Sequence, residues 1–298
     1  MKIFSGSSNV PLAANLAKKL NTKLADVERA LFPNGEIRVW VKEEVRRENV
    51  ILVQSFSDPV DFHIIEFTLI VDALQRCGAR KIVGVIPWLG YSLQDKVFRP
   101  GEPIAAKVIA DFVSRGVKRH ILVNLHSDSI TGFFPVPATQ VSALDMFVDY
   151  VKRKNTKDTL VISPDFGAIK RARVFARKLE LPLANINKER HKVTGQITAH
   201  GVSHSVKGKE CLVIDDVVST GDTLIKTAKL LKEQDAKRVR FFATHALFCH
   251  NASKRLSKSD IDEVVVTDTV AIPKEKQFKK LTVLSIAPVL IPEIEVWA

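Results

Sequence analysis

The sequence predicts an α/β protein of two tandem domains of one architecture, each with a mostly parallel central sheet flanked by helices. Three observations predict it. Apolar runs of strand length alternate with segments of helical period along the chain, the order that folds into a parallel sheet with helices on its faces. The stretch from Asn49 to Ile86 is matched element by element from Glu210 to Ala243, the mark of an internal duplication. A length of 298 residues suffices for two cores of ordinary size.

Ile3-Phe4 opens a short strand, and Ser5 to Asn9 turns it into a helix with Ala13, Leu16, Ala17 and Leu20 on one face. Phe32-Pro33-Asn34-Gly35-Glu36 is a turn by its Pro and Asn-Gly content, and the alternation of Ile37, Val39 and Val41 makes it a hairpin corner. Val50 to Val53 is a strand, Ser55 to Asp61 a loop, and a helix runs to about Arg76 before the strand Ile82 to Ile86. Tyr91 to Pro103 is polar and rich in Pro and Gly, a long loop of the kind that is mobile and functional. A helix marked by Ile104, Val108 and Phe112 follows it. The strand Ile121 to Val123 delivers His126 at its C-terminal end, and Phe134 to Ala143 reads as the interdomain connection.

The second domain starts with a helix bearing Leu144, Phe147, Val148 and Val151. The strand Leu160 to Ile162 ends in Ser163-Pro164-Asp165, and a helix carries Ala172, Phe175, Ala176 and Leu179. The strand Leu183 to Ile186 delivers a loop, Asn187 to Lys192, that contains Lys188 and Arg190. Val264 to Val266 and Leu281 to Leu284 complete the sheet, and Ile286 to Trp297, apolar and broken by proline, is expected to pack back across a domain or subunit boundary.

The most informative stretch is Cys211 to Leu224. A buried strand, Leu212 to Ile214, ends on the acid pair Asp215 and Asp216, and Ser219-Thr220-Gly221-Asp222-Thr223 leads into a helix with Leu224, Ala228 and Leu231 on its apolar face. Loop amides and a positive helix end converge on one spot, and Gly221 lets backbone approach a phosphate. Vicinal hydroxyls donate to carboxylates. The pattern asks for a sugar phosphate, hydroxyls on the acids and phosphate on the loop. The alternative is an Asp-capped turn with no ligand. The first copy's loop, Gln54 to Asp58, lacks the acid pair and the Thr-Gly.

His126, Asp165, Lys188 and Arg190 also fall at strand C-terminal ends, where ligands of parallel sheets gather. Taken singly they read equally well as a structural histidine, a helix cap and a solvated loop. The G-x-x-x-x-G-K-[ST], G-x-G-x-x-G, H-E-x-x-H, G-x-S-x-G and C-x-x-C motifs are absent, which argues against P-loop, Rossmann, zincin, α/β-hydrolase and thioredoxin-like chemistry. Hydrophobic content of 46% and charged content of 26% are those of a soluble globular protein. The longest apolar runs are strand-length, so no membrane span is expected, and the first ten residues lack the apolar core of a secretory signal. Cys77, Cys211 and Cys249 are odd in number and lack metal spacing, which fits a reducing, cytoplasmic setting. A net charge of +12 suits nucleic acid or polyanionic small molecules. Because the basic residues are dispersed and the aromatics do not alternate with them as stacking platforms, small polyanions are the expected partners and nucleic acid is not.

The loop from Asp215 to Thr223 resembles the phosphoribosyl-diphosphate loop of type I phosphoribosyltransferases. With Phe32 to Glu36, Gly90 to Asp95, Leu125-His126, Gly132 to Phe134, Ser163 to Asp165, Lys188 and Arg190, essentially the whole chain resembles the ribose-phosphate diphosphokinase, or phosphoribosyl-diphosphate synthetase, family. A plain phosphoribosyltransferase would show one domain and the last motif alone. The resemblance implies two phosphoribosyltransferase-like domains, 1–141 for ATP and 142–298 for ribose 5-phosphate, and transfer of the β,γ-diphosphoryl group of ATP to the anomeric hydroxyl of ribose 5-phosphate. It implies Mg²⁺ as cofactor, at His126 and Asp165, and ATP as co-substrate, at Phe32, Asn34, Gly35, Glu36, Gln94 and Asp95. Lys188 and Arg190 would contact the transferring group. Asp215 and Asp216 would take the ribose hydroxyls, and Ser219, Thr220, Gly221, Asp222 and Thr223 the 5-phosphate. A homo-oligomer, dimer or dimer-based hexamer, is implied as well. Leu93 and Glu189 stand where the family commonly has Arg. The alternatives are a non-catalytic regulatory homologue and a phosphoribosyltransferase.

Overall fold

Parallel strands buried on both faces read as continuous apolar runs, and two such sets organise the chain. The structure, a computed structural model, describes residues 1–154, 156–165, 167–190 and 197–297, with backbone alone for 187–190 and 197–201. The first set is β1 (Lys2–Ser5), β4 (Asn49–Val53), β5 (Lys81–Ile86), β6 (Arg119–Val123) and β7 (Ala138–Val141), parallel throughout and in the spatial order β1-β4-β5-β6-β7. Helices α1 (Val10–Lys19), α2 (Val60–Arg76) and α3 (Ala105–Val113) supply the apolar faces that cover it. Between β1 and β4 stands a separate antiparallel hairpin, β2 (Val27–Leu31) and β3 (Ile37–Val41). Its tip closes through the Phe32 amide on the Glu36 carbonyl and the Gly35 amide on the Phe32 carbonyl, each at 2.8 Å. Gly35 sits at φ +87°, a conformation that favours glycine.

Two expectations change here. The apolar stripe of α3 is Ala105, Ala106, Ala110 and Val113, while Val108 is 58% exposed. Small alanines face the core with Phe112 half-buried beside them, and of the three expected residues Val108 is the one turned to solvent. The stretch Phe134 to Ala143, expected as a connection, contains β7. Its proline neighbours do not prevent this, because an edge strand pairs on one side only.

The second set is β8 (Thr159–Ser163), β9 (Leu183–Arg190), β10 (Ile197–Val202), β11 (Glu210–Val218), β12 (Arg238–Ala246), β13 (Glu263–Thr267) and β14 (Leu281–Leu284). They lie in the order β10-β9-β8-β11-β12-β13-β14, all parallel except β10 against β9. Helices α4 (Leu144–Lys152), α5 (Ile169–Leu179), α6 (Asp222–Glu233) and α7 (Ala252–Ser257) belong to this set. The order β4-β5-β6-β7 recurs as β11-β12-β13-β14, β1 corresponds to β8, and a hairpin, β2–β3 or β9–β10, intervenes in each. The duplication therefore extends through the whole sheet.

Contacts divide the chain into one unit of residues 1–142, 269–271 and 285–298 and another of 143–268 and 272–284. The terminal helix α8 (Ala287–Glu295) belongs to the first, where it packs on α1 as α4 packs on α5 in the second. Asn15 Nδ2 donates to Ser285 Oγ at 2.8 Å, Asn49 Nδ2 to the Trp297 carbonyl at 3.1 Å, and the Arg119 guanidinium lies 4.3 Å from the Trp297 ring. None of the described helices is long and apolar enough to cross a membrane.

Candidate active site

The acid pair stands inside a strand, not at its end. From Ile214 onward β11 has outrun β8, whose pairing stops at Val213, and is held by β12 alone through Val218. Asp215 and Asp216 project at the edge left by the shorter neighbour. Asp216 is 6% exposed, and its amide donates to Asp215 Oδ1 at 2.9 Å. One cation from α5 spans both carboxylates: Arg171 Nη1 lies 3.5 Å from Asp215 Oδ1, and Nη2 3.4 Å from Asp216 Oδ2. Burial first, and the Asp216 charge second, push the Asp215 carboxyl up to about 7, with Arg171 pulling the other way.

Beyond Val218 the loop is fastened at its base. The Leu247 and Phe248 amides donate to the Val218 carbonyl, and the Cys249 amide to the Ser219 carbonyl at 3.0 Å. Gly221 takes φ +77° at the N-terminus of α6, and a Cβ there would sit 3.2 Å from Leu256 Cγ. Thr220 Oγ1 donates to Asp222 Oδ2 at 2.8 Å. The Arg255 guanidinium pairs with Asp222 and holds that carboxylate below the usual range, with the Thr220 hydroxyl assisting. Arg255 Nη1 also donates to the Thr220 carbonyl at 3.4 Å. The amides of Ser219, Thr220, Gly221 and Thr223, by contrast, donate to no protein acceptor among the described residues. Such a set at the start of a twelve-residue helix is a ready anion cradle.

The remaining expected site residues are placed as follows. Asp165 Oδ1 accepts the Ala168 amide at 3.0 Å, so the residue caps the turn into α5. Lys188 and Arg190, which the sequence pattern assigns to a loop, lie on a strand. Strand β9 continues through Arg190 because β10 pairs with it, at Lys188↔Ala199 and Arg190↔Ile197. Their side chains lie outside the described residues, as do His191 and Lys192. In the first unit, Phe32, Asn34, Gly35 and Glu36 form the exposed hairpin tip, with Asn34 Oδ1 accepting the Glu36 amide at 3.2 Å. The Gln94 amide donates to the Tyr91 carbonyl at 3.0 Å, with Asp95 beside it, and His126 lies exposed just past β6. Arg171 and Arg255 escaped the sequence reading. Arg171 shares α5 with Lys170, Arg173, Arg177 and Lys178, and no signal in sequence separates it from them.

The fold and this loop define a protein of two phosphoribosyltransferase-type α/β units. The family profile described as the N-terminal domain of ribose phosphate pyrophosphokinase matches residues 1–115, and that of the phosphoribosyl transferase domain matches residues 143–279. The ribose-phosphate pyrophosphokinase of Fusobacterium nucleatum is 38% identical, covering 99% of this chain and 94% of that protein. The protein of the same name from Nostoc sp. is 39% identical, covering 97% and 88%. The crystal structure of phosphoribosylpyrophosphate synthetase from Mycobacterium smegmatis superposes with a TM-score of 0.93 at 36% identity, over 99% of this chain and 97% of that one. The chain belongs to the ribose-phosphate pyrophosphokinase family.

Proposed function

We propose that this protein transfers the diphosphoryl group of ATP to the anomeric hydroxyl of ribose 5-phosphate, giving phosphoribosyl diphosphate and AMP. The observation that carries the reading is the free-amide loop Ser219–Thr223 beside the acid pair braced by Arg171. Ribose 5-phosphate has its phosphate on the amides of Ser219, Thr220, Gly221 and Thr223. Its hydroxyls donate to Asp215 and Asp216, with Asp222 steadying the loop through Arg255. ATP is held by Phe32, Asn34, Gly35 and Glu36 together with Gln94 and Asp95. The sugar hydroxyl gives up its proton to solvent and its oxygen bonds to the β-phosphorus as the α–β bridging bond breaks and AMP leaves.

Phosphoryl-type transfer is governed by positioning and charge neutralisation. Two unit charges about 4 Å apart at an effective dielectric near 20 interact by about 4 kcal/mol, so two phosphorylated substrates need cations set in advance. Lys188 and Arg190 on β9 supply them at the transferring group. The carboxylate of Asp165 is an oxygen donor that suits Mg²⁺. Among the described residues no three His, Cys, Asp or Glu side chains converge on one ion, and Mg²⁺ is commonly held by one or two carboxylates with water and substrate phosphates completing its shell. Asp165 and His126 are the residues that would sit at Mg²⁺, which when bound neutralises phosphate charge. The protein works as a homo-oligomer in the cytoplasm, the setting that its three unpaired cysteines suit.

The test is to mix the protein with ATP, Mg²⁺ and ribose 5-phosphate and to follow AMP by chromatography. AMP that depends on the sugar is expected. AMP without the sugar, or none in its presence, would remove the proposal. Lys188→Ala is expected to lower kcat far more than it raises the KM for ribose 5-phosphate; comparable losses in both would assign Lys188 to ground-state binding.

A further inference from the structure

Glu66, on α2, is 1% exposed. Its Oε2 accepts the amide and the hydroxyl of Ser7, at 2.9 and 2.8 Å, and Nε2 of Gln54 at 2.5 Å. Gln54 is fully buried and is fixed in turn by the amide and hydroxyl of Ser8 on its Oε1, at 3.2 and 2.8 Å. The carboxylate thus lies at the junction of β1, β4 and α2. A buried charge needs an opposite partner, and the cation facing it is Arg29, with Nε 3.9 Å from Glu66 Oε1. That oxygen has no hydrogen bond among the described residues. Arg29 Nη1 also donates to the Ser5 carbonyl, at 2.7 Å.

Arg29 comes from β2, three residues before Phe32. The hairpin β2–β3 forms a sheet of its own that is seated on the unit through β3 against α2, with Val27 and Val41 buried and Val39 half-buried on the core. An isolated two-stranded hairpin is marginally stable, so its direction depends on what ties it to the unit. Beside that apolar packing, Arg29 makes two polar ties, to Glu66 and to the Ser5 carbonyl.

We propose that the Arg29–Glu66 pair sets the orientation of the hairpin that holds ATP, making both positioning residues for the nucleotide. The inference rests on the reading that Phe32, Asn34, Gly35 and Glu36 bind ATP. When the pair is broken, the hairpin samples other directions, and apparent ATP affinity falls by the fraction of chains in the competent one.

The test is steady-state kinetics on the full-length enzyme. Arg29→Ala is expected to raise the KM for ATP by about tenfold, to leave the KM for ribose 5-phosphate within about twofold, and to lower the melting temperature, because Glu66 is left buried without its opposite charge. Arg29→Lys should recover part of the loss. Glu66→Gln, which keeps the side chain's size and removes its charge, should act in the same direction, and the double variant should be no worse than the worse single one. Amide exchange in Val27 to Leu31 should quicken in both. Unchanged KM values, or a parallel rise for both substrates, would overturn the inference. Phe32→Ala serves as the control: if it leaves the KM for ATP unaltered, the hairpin reading itself fails. If it raises that KM while Arg29→Ala does not, the positioning role alone fails.

Discussion

The amide of Asp216 donates to the carboxylate of Asp215 at 2.9 Å, within one strand. Two adjacent acids in a half-dry setting resist ionising together, and burial followed by the Asp216 charge pushes Asp215 up to about 7. A carboxyl whose pKa is higher folded than unfolded takes up a proton on folding. Its contribution to stability is therefore full below about pH 4 and is lost as the pH rises through about 7. Asp215→Asn is expected to stabilise the unliganded protein at about pH 8 and to flatten the fall in stability between about pH 5 and that point. Denaturant unfolding across that range checks it, and parallel pH slopes for the two proteins would contradict it.

Gly221 holds the loop Ser219–Thr223 in a left-handed turn against Leu256. Gly221→Ala adds strain of about 1–2 kcal/mol at φ +77° and moves amides that must point at the ligand. The KM for ribose 5-phosphate is expected to rise by at least about tenfold while that for ATP changes little. Substrate-dependence curves for the two substrates separate these outcomes.

Arg240 is fully buried between two carboxylates, with Nε 2.7 Å from Glu210 Oε1 and Nη1 3.7 Å from Glu263 Oε2. Glu263 also accepts from Tyr150 and from Thr282. Glu263→Ala leaves the guanidinium half compensated in a dry place, and a loss of about 3–5 kcal/mol is expected, since one member of a buried pair has been removed. Glu263→Gln, which keeps an acceptor for Tyr150 and Thr282 but loses the charge that faces Lys154 and Arg240, should lose an amount between that of Glu263→Ala and none. Urea titrations of both variants decide it.

Leu290 and Ile294 on α8 are fully buried, far in sequence from the unit they complete. Leu290→Ala is expected to cost about 2–5 kcal/mol, as deletion of buried methyl groups does. The loss should appear as faster amide exchange in α1, the helix on which α8 packs. Exchange confined to the C-terminal residues would show that the helix is dispensable to that unit.

What the sequence determined is what local chemistry dictates. Continuous apolar runs such as Val50 to Val53 and Leu212 to Ile214 specify buried parallel strands, and the alternation of strand and helix specifies the layered sheet. Ser219-Thr220-Gly221-Asp222-Thr223 at a strand–helix junction specifies a set of free backbone amides, because a helix N-terminus leaves its first donors without partners. Tertiary structure decided whatever depends on a partner distant in the chain. Pairing with β12 and β10 carried β11 past its acids and β9 through Lys188, because a ladder lasts as long as its neighbour does, whatever the side chains prefer. Arg171 became the brace of the acid pair, and α8 the cover of α1, through packing between segments that no spacing connects. A charge or an apolar face is legible in sequence, but its complement is a matter of position in space.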